Sequence, residues 1–133
     1  MFEKILLAVD GSEHSERACS IVGDLARTSG ATVYVLHVHE AGLVAPVETT
    51  TEARHIVDHV LKQLDADGIE ATGEAVAARS GDVAPMIVEA ARSLGSDLIV
   101  MGTRGMSDFS GLLLGSIAHK VIHHAGCPVL VVR

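Results

Sequence analysis

The chain has 133 residues, 48% of them hydrophobic, and a formal net charge of -7. That length fits a single domain over 1–133 with a real core, and the acidic balance argues against nucleic acid or an anionic membrane as main partner, since both need a positive face. No apolar run approaches the roughly 20 residues of a membrane span, Met1-Phe2-Glu3-Lys4 shows no signal-peptide pattern, and Cys19 and Cys127 lack CxxC spacing, so the expectation is a cytoplasmic protein with two reduced thiols.

With two Phe, one Tyr and no Trp, the core must be built from Val, Ile, Leu and Ala, as in parallel sheets. Lys4 to Val9 is apolar without alternation, so it reads as a first strand buried on both faces. Asp10-Gly11-Ser12 ends it. Ser12 suits an N-cap, Glu13 and Glu16 suit the positive end of a helix, and Ala18, Cys19, Val22, Leu25 and Ala26 form its apolar face up to Gly30. Asp10 sits where the first strand delivers its C-terminal end. A carboxylate there can serve a ligand in the crevice of an open α/β sheet, or it can be a local turn aspartate; the residues alone leave both open.

Ala31 to His39 is a second strand rich in β-branched residues. His37 and His39 alternate with Val38 and so point away from it. A loop from Glu40 to Val47 holds Gly42 and Pro46. Glu48 to Asp67 reads as a helix with Ala53, Ile56, Val57, Val60, Leu61 and Leu64 inward. His55 and His59 lie one turn apart on it, a spacing that can bind metal, yet no His-Glu-x-x-His pattern surrounds them and an exposed helix face explains them as well. His119 and His123 repeat that spacing, beside His124, without a carboxylate to complete a site.

Ile69 to Ala78 is a third strand, made polar by Glu70, Thr72 and Glu74, and therefore an edge. Asp82 is a candidate N-cap, Pro85 is tolerated in a first turn, and Ile87, Val88, Ala91 and Leu94 face inward up to Gly95. Leu98 to Met101 is a short buried fourth strand ending in Gly102. A loop with Gly105 and Gly111 follows, and Gly115-Ser116 opens a last helix carrying Ile117, Val121 and Ile122. Val129 to Val132 is a final, wholly apolar strand.

Strand, glycine loop and helix together make an anion cradle: glycines allow close backbone approach, and a helix N-terminus offers free N–H groups and partial positive charge. The spacing is neither that of a P-loop nor that of a dinucleotide turn. Gly102, two residues, Gly105, nine residues, then Gly115-Ser116 resembles the signature of the ATP-binding universal stress proteins, and Val9-Asp10-Gly11-Ser12 resembles the first-strand end of that family.

The resemblance covers essentially the whole chain. It implies adenine nucleotide binding, as ATP with Mg²⁺, by Asp10, Gly11, Ser12, Val38, Met101, Gly102, Gly105, Gly115, Ser116 and Ile117; Arg104, inside the loop, can add a charge-assisted phosphate contact or stand as a solvated loop arginine. Asp10 and Val38 would hold the nucleoside, and the glycines and Ser116 the phosphates. Asp108 lies inside the loop, where a carboxylate weakens anion binding. Strands alternating with helices argue a single open parallel sheet, Rossmann-like, with helices on both faces. The order 3-2-1-4-5 puts the polar strand at an edge, matches the family, and brings the Asp10 and Gly102 loops to one crevice. The last strand, Val129 to Val132, is expected to pair with its copy in a homodimer, so that no hydrophobic edge is exposed.

Three functions compete: a nucleotide-binding stress regulator; a slow ATPase or phosphotransferase, for which Asp10 and Arg104 are an incomplete set and Ser107, Ser110 or Ser116 would be the acceptors; and a nucleotide-independent dimeric adaptor.

Overall fold

The computed structural model describes residues 1–41, 50–103 and 114–133. Nine elements alternate along them: β1 (Lys4–Ala8), α1 (Glu13–Ser29), β2 (Thr32–Glu40), α2 (Thr50–Ala66), β3 (Ala71–Ala78), α3 (Val83–Leu94), β4 (Leu98–Gly102), α4 (Ser116–His124) and β5 (Val129–Val132). The strands form one sheet in the order β3-β2-β1-β4-β5, and all four pairings are parallel. This is the open α/β architecture with its central reversal between β1 and β4.

Two apolar layers follow from the period of the strands. Ile5, Leu7, Val33, Val35, Leu98 and Val100 point to one face and pack under α1 and α2, with Val22, Val57 and Leu64. Leu6, Ala8, Leu36, Val38, Ile99 and Met101 point to the other and pack under α3 and α4, with Ile87 and Val121. Leu6, Leu7 and Ile99 are fully buried, and truncating any of them to Ala would cost about 2–5 kcal/mol.

The boundaries shift slightly from expectation, for local reasons. The third strand starts at Ala71 because Ile69 closes the preceding helix: its N–H donates to the Leu64 carbonyl at 2.9 Å, and its side chain is buried. The second strand runs to Glu40, because pairing with β3 continues through His39↔Ala77 and Glu40↔Ala78. Of the helix expected from Glu48, residues 50–66 are described. Asp82 precedes α3 as expected but does not cap it: with φ -96° and ψ -1° its backbone is already turned helically, and its side chain makes no cap hydrogen bond. Leu94, expected inward, lies on the surface at the end of α3.

The two sheet edges differ. On β3, Thr72 and Glu74 are exposed, and Glu74 accepts a 2.5 Å hydrogen bond from the Tyr34 hydroxyl. On β5, which among the described residues pairs only with β4, Leu130 is exposed.

Candidate functional site

The end of β1 is locked by short-range bonds. Val9 N–H donates to the Leu36 carbonyl at 2.9 Å. Asp10 Oδ1 accepts from Ser12 N–H at 2.9 Å, across a Gly11 whose φ of 81° suits glycine. Ser12 then caps α1, its Oγ accepting from Ser15 N–H at 3.2 Å. Asp10 is thus a turn aspartate, and it also lines the crevice: the two readings of this residue are compatible.

The end of β4 is pressed against the first turn of α1. A Cβ placed on Gly102 would lie 2.6 Å from His14 Cβ and 3.0 Å from His14 carbonyl carbon, so only glycine fits without moving the helix. The next residue, Thr103, is buried and bonded in three directions. Its N–H donates to the Val132 carbonyl at 2.8 Å, its carbonyl accepts from Gly115 N–H at 2.5 Å, and its Oγ1 lies 2.8 Å from His14 Nδ1. Thr103 therefore ties the start of the glycine loop to β5, to α4 and to α1.

Between these two strand ends lies a cavity of about 70 Å³. Its apolar wall is Leu36, Val38, Val83, Ile87, Met101 and Ile117, and its polar end is Asp10, Ser15 and Thr103 beside Gly102. Such a slot suits a flat heteroaromatic ring at one end and hydroxyls at the other. Beyond it, α4 begins at Gly115, which has extended geometry (φ -68°, ψ 159°) and no side-chain cap, and no acidic residue stands in the first turn. The leading N–H groups of a helix have no partner within it, and they carry its positive end.

Of the residues singled out in the sequence, Asp10, Val38, Met101, Gly102 and Ile117 line this one cavity. Gly115 and Ser116 open α4 beside it. Ser12 serves α1, and Gly11 lines a separate groove of about 260 Å³ between α1 and α2. Arg104 and Gly105 lie outside the described residues, as do Ser107, Asp108, Ser110 and Gly111. His55 and His59 line the α1–α2 groove with Glu16 and Cys19. His119 and His123 stack on the surface of α4 with centroids 6.0 Å apart. Among the described residues no group of three or more His, Cys, Asp or Glu side chains could hold a metal ion. His37 and His39 do point away from Val38: His37 Nδ1 lies 2.7 Å from the Val9 carbonyl, supporting the β1 end from behind.

Sequence reasoning missed Thr103 and His14. A hydroxyl directly after Gly102 and a histidine two residues past the N-cap were signals, but only the fold brings them together. The thiols are quiet. Burial, then the Glu16 charge, pushes Cys19 up to about 12, and burial, then Asp97, raises Cys127.

Comparison with known proteins agrees with this architecture. The sequence profile of the Universal stress protein family matches residues 1–133. A universal stress protein of Thermus aquaticus is 37% identical, with the whole of both chains covered. The solved structure of hypothetical protein MJ0577 superposes with a TM-score of 0.87 at 30% identity, covering 99% of this chain and 96% of that one. The universal stress protein from Archaeoglobus fulgidus, solved in complex with dAMP, superposes with a TM-score of 0.77 at 25% identity, covering 100% and 98%.

Proposed function

We propose, from the premise that this chain belongs to the universal stress protein family, that it binds an adenine nucleotide in the crevice between the ends of β1 and β4 and acts as a dimeric stress-response regulator. The observation that carries the reading is the single cavity in which Asp10, Val38, Met101, Gly102 and Ile117 meet. The base occupies the apolar slot against Val38, Met101 and Ile117. The ribose hydroxyls donate to the Asp10 carboxylate. The phosphates lie toward Gly115 and Ser116, at the open start of α4. The dAMP held by the related Archaeoglobus protein supports an adenine nucleotide as the class. ATP is the form we favour, with Mg²⁺ held mainly by phosphate oxygens and water, as that ion prefers. Arg104 and Gly105 would complete the phosphate contacts.

Binding rather than turnover is the proposed activity. Among the described residues lining the cavity, Asp10 is the sole carboxylate, and one of its oxygens already accepts from Ser12 N–H. A phosphotransferase also needs carboxylates that place metal and nucleophile, and the candidate that could join Asp10, Asp108, lies outside the described residues. The apolar outer edge of β5, with Leu130 exposed, supports pairing of two copies through Val129–Val132. The proposed setting is the cytoplasm.

Calorimetric titration with AMP and with ATP plus Mg²⁺ tests the reading. Binding near micromolar is expected, and Val38→Phe, which fills the slot, should abolish it. A folded dimer that binds neither nucleotide would leave the adaptor reading in its place. Sedimentation checks the dimer: Leu130→Glu should give monomers at concentrations where the unaltered chain is paired.

A further inference from the structure

His14 takes no part in the reading above, yet it stands at the neck of the phosphate loop. It lies in the first turn of α1, half-buried, with its Cβ against Gly102 and its Nδ1 2.8 Å from Thr103 Oγ1. Thr103 is itself fixed by the Val132 carbonyl and by Gly115 N–H. The ring is therefore anchored at one nitrogen to a residue that cannot move freely. Its other nitrogen has no hydrogen-bond partner among the described residues. Tying α1 to Thr103 would need only one hydrogen-bonding atom. An imidazole brings a second, and that atom can be an N–H donor in the neutral ring and is one in the cation.

We infer that His14 is a contact for the first phosphate of the bound nucleotide, and that it sets the preference of this crevice for nucleotides over nucleosides. The inference rests on the nucleotide reading of the crevice and deepens it. Asp10, Gly102 and Thr103 line one end of the cavity together. A ribose held at Asp10 directs its 5′ oxygen along this end, past Gly102, toward the loop. The first phosphate then falls beside the two residues against which His14 packs. The chain carries a net charge of -7, so an incoming anion meets general repulsion. A charge-assisted N–H donor at the point of contact offsets it locally. The positive end of α1 acts in the same direction, although Ser12 and the first-turn glutamates occupy much of it.

The test is titration of the unaltered protein, His14→Ala, His14→Gln and Thr103→Val with adenosine, AMP and ATP plus Mg²⁺. His14→Ala should weaken AMP and ATP alike by roughly tenfold, the scale of one charge-assisted hydrogen bond, and leave adenosine unchanged. His14→Gln keeps an N–H donor and should recover part of the loss. Thr103→Val, which frees the ring, should shift the AMP-to-adenosine ratio in the same direction. A purely structural role would move adenosine and AMP together, and that result would overturn the assignment. So would an unchanged ratio in His14→Ala, or a loss confined to ATP, which would place the contact farther along the phosphate chain. If the unaltered protein bound none of the three, the nucleotide reading itself would fail, an outcome distinct from failure of His14 alone.

Discussion

Helices α1 and α4 both start just past the C-terminal ends of adjacent strands, β1 and β4, and they are built in opposite ways. At α1 the chain satisfies itself: Asp10 takes Ser12 N–H, Ser12 Oγ takes Ser15 N–H, and Glu13 and Glu16 stand in the first turn. At α4 a glycine holds the cap position, no side chain among the described residues closes it, and the first turn has no acid. A helix start that is already capped and negatively flanked has little left for an anion; one that is bare retains its N–H donors and its partial charge. In the proposed complex the two strand–turn–helix units share one crevice and divide its labour: the α1 unit presents the Asp10 carboxylate to hydroxyls and the His14 imidazole to the first phosphate, and the α4 unit presents backbone donors to the phosphates beyond it.

The contrast can be broken most forcefully where the two units touch. Gly102→Val should force α1 away from β4, costing about 1–3 kcal/mol by overpacking and abolishing nucleotide binding; urea unfolding and calorimetry read the two effects. Removing the self-made cap comes next. Ser12→Ala should lower stability by about 1 kcal/mol, with nucleotide affinity affected far less than in Gly102→Val. Giving α4 what α1 has should act in opposite directions on the two measurements. Ser116→Glu, an acid at the exposed first position of the helix, should gain a few tenths of a kcal/mol in stability, while its carboxylate weakens nucleotide binding; equal or tighter binding would refute the division.

The smallest expected effect lies deeper in α1. Cys19 is pushed up to about 12 by burial first and by Glu16 second, against an ordinary 9.0. The folded state thus holds the neutral thiol while the unfolded chain ionises it. That contribution to stability is complete below about pH 9 and is lost as pH rises toward 12. Glu16→Gln removes the lesser cause, so alkylation of the native thiol at pH 9 should quicken only modestly.

Most of the fold was legible because its strands are unusually plain. The apolar runs of β1 and β4 fit central strands and the glutamates about β3 fit a peripheral one, while β5, equally apolar, lies at the opposite edge. Asp10, Val38, Met101, Gly102 and Ile117 converge because parallel strands deliver their C-terminal ends to one side of the sheet. What could not be read depends on distances between segments far apart in sequence. His14 and Thr103 are 89 positions apart and meet only because β1 and β4 are neighbours. The Asp82 cap failed for a finer reason: its position was right, but a backbone already turned helically leaves the carboxylate unable to reach back to the first-turn N–H groups.

The unequal edges of the sheet have a consequence for assembly. In the proposed dimer the two apolar β5 edges consume one another, and the combined sheet ends on both sides at β3, where Thr72 and Glu74 are exposed and Glu74 is engaged by Tyr34. Growth therefore terminates itself after one addition: each copy has one adhesive border and one inert one, and a two-fold pairing uses up every adhesive border. A chain with two β5-like borders would polymerise; in the proposed dimer this one counts to two and stops.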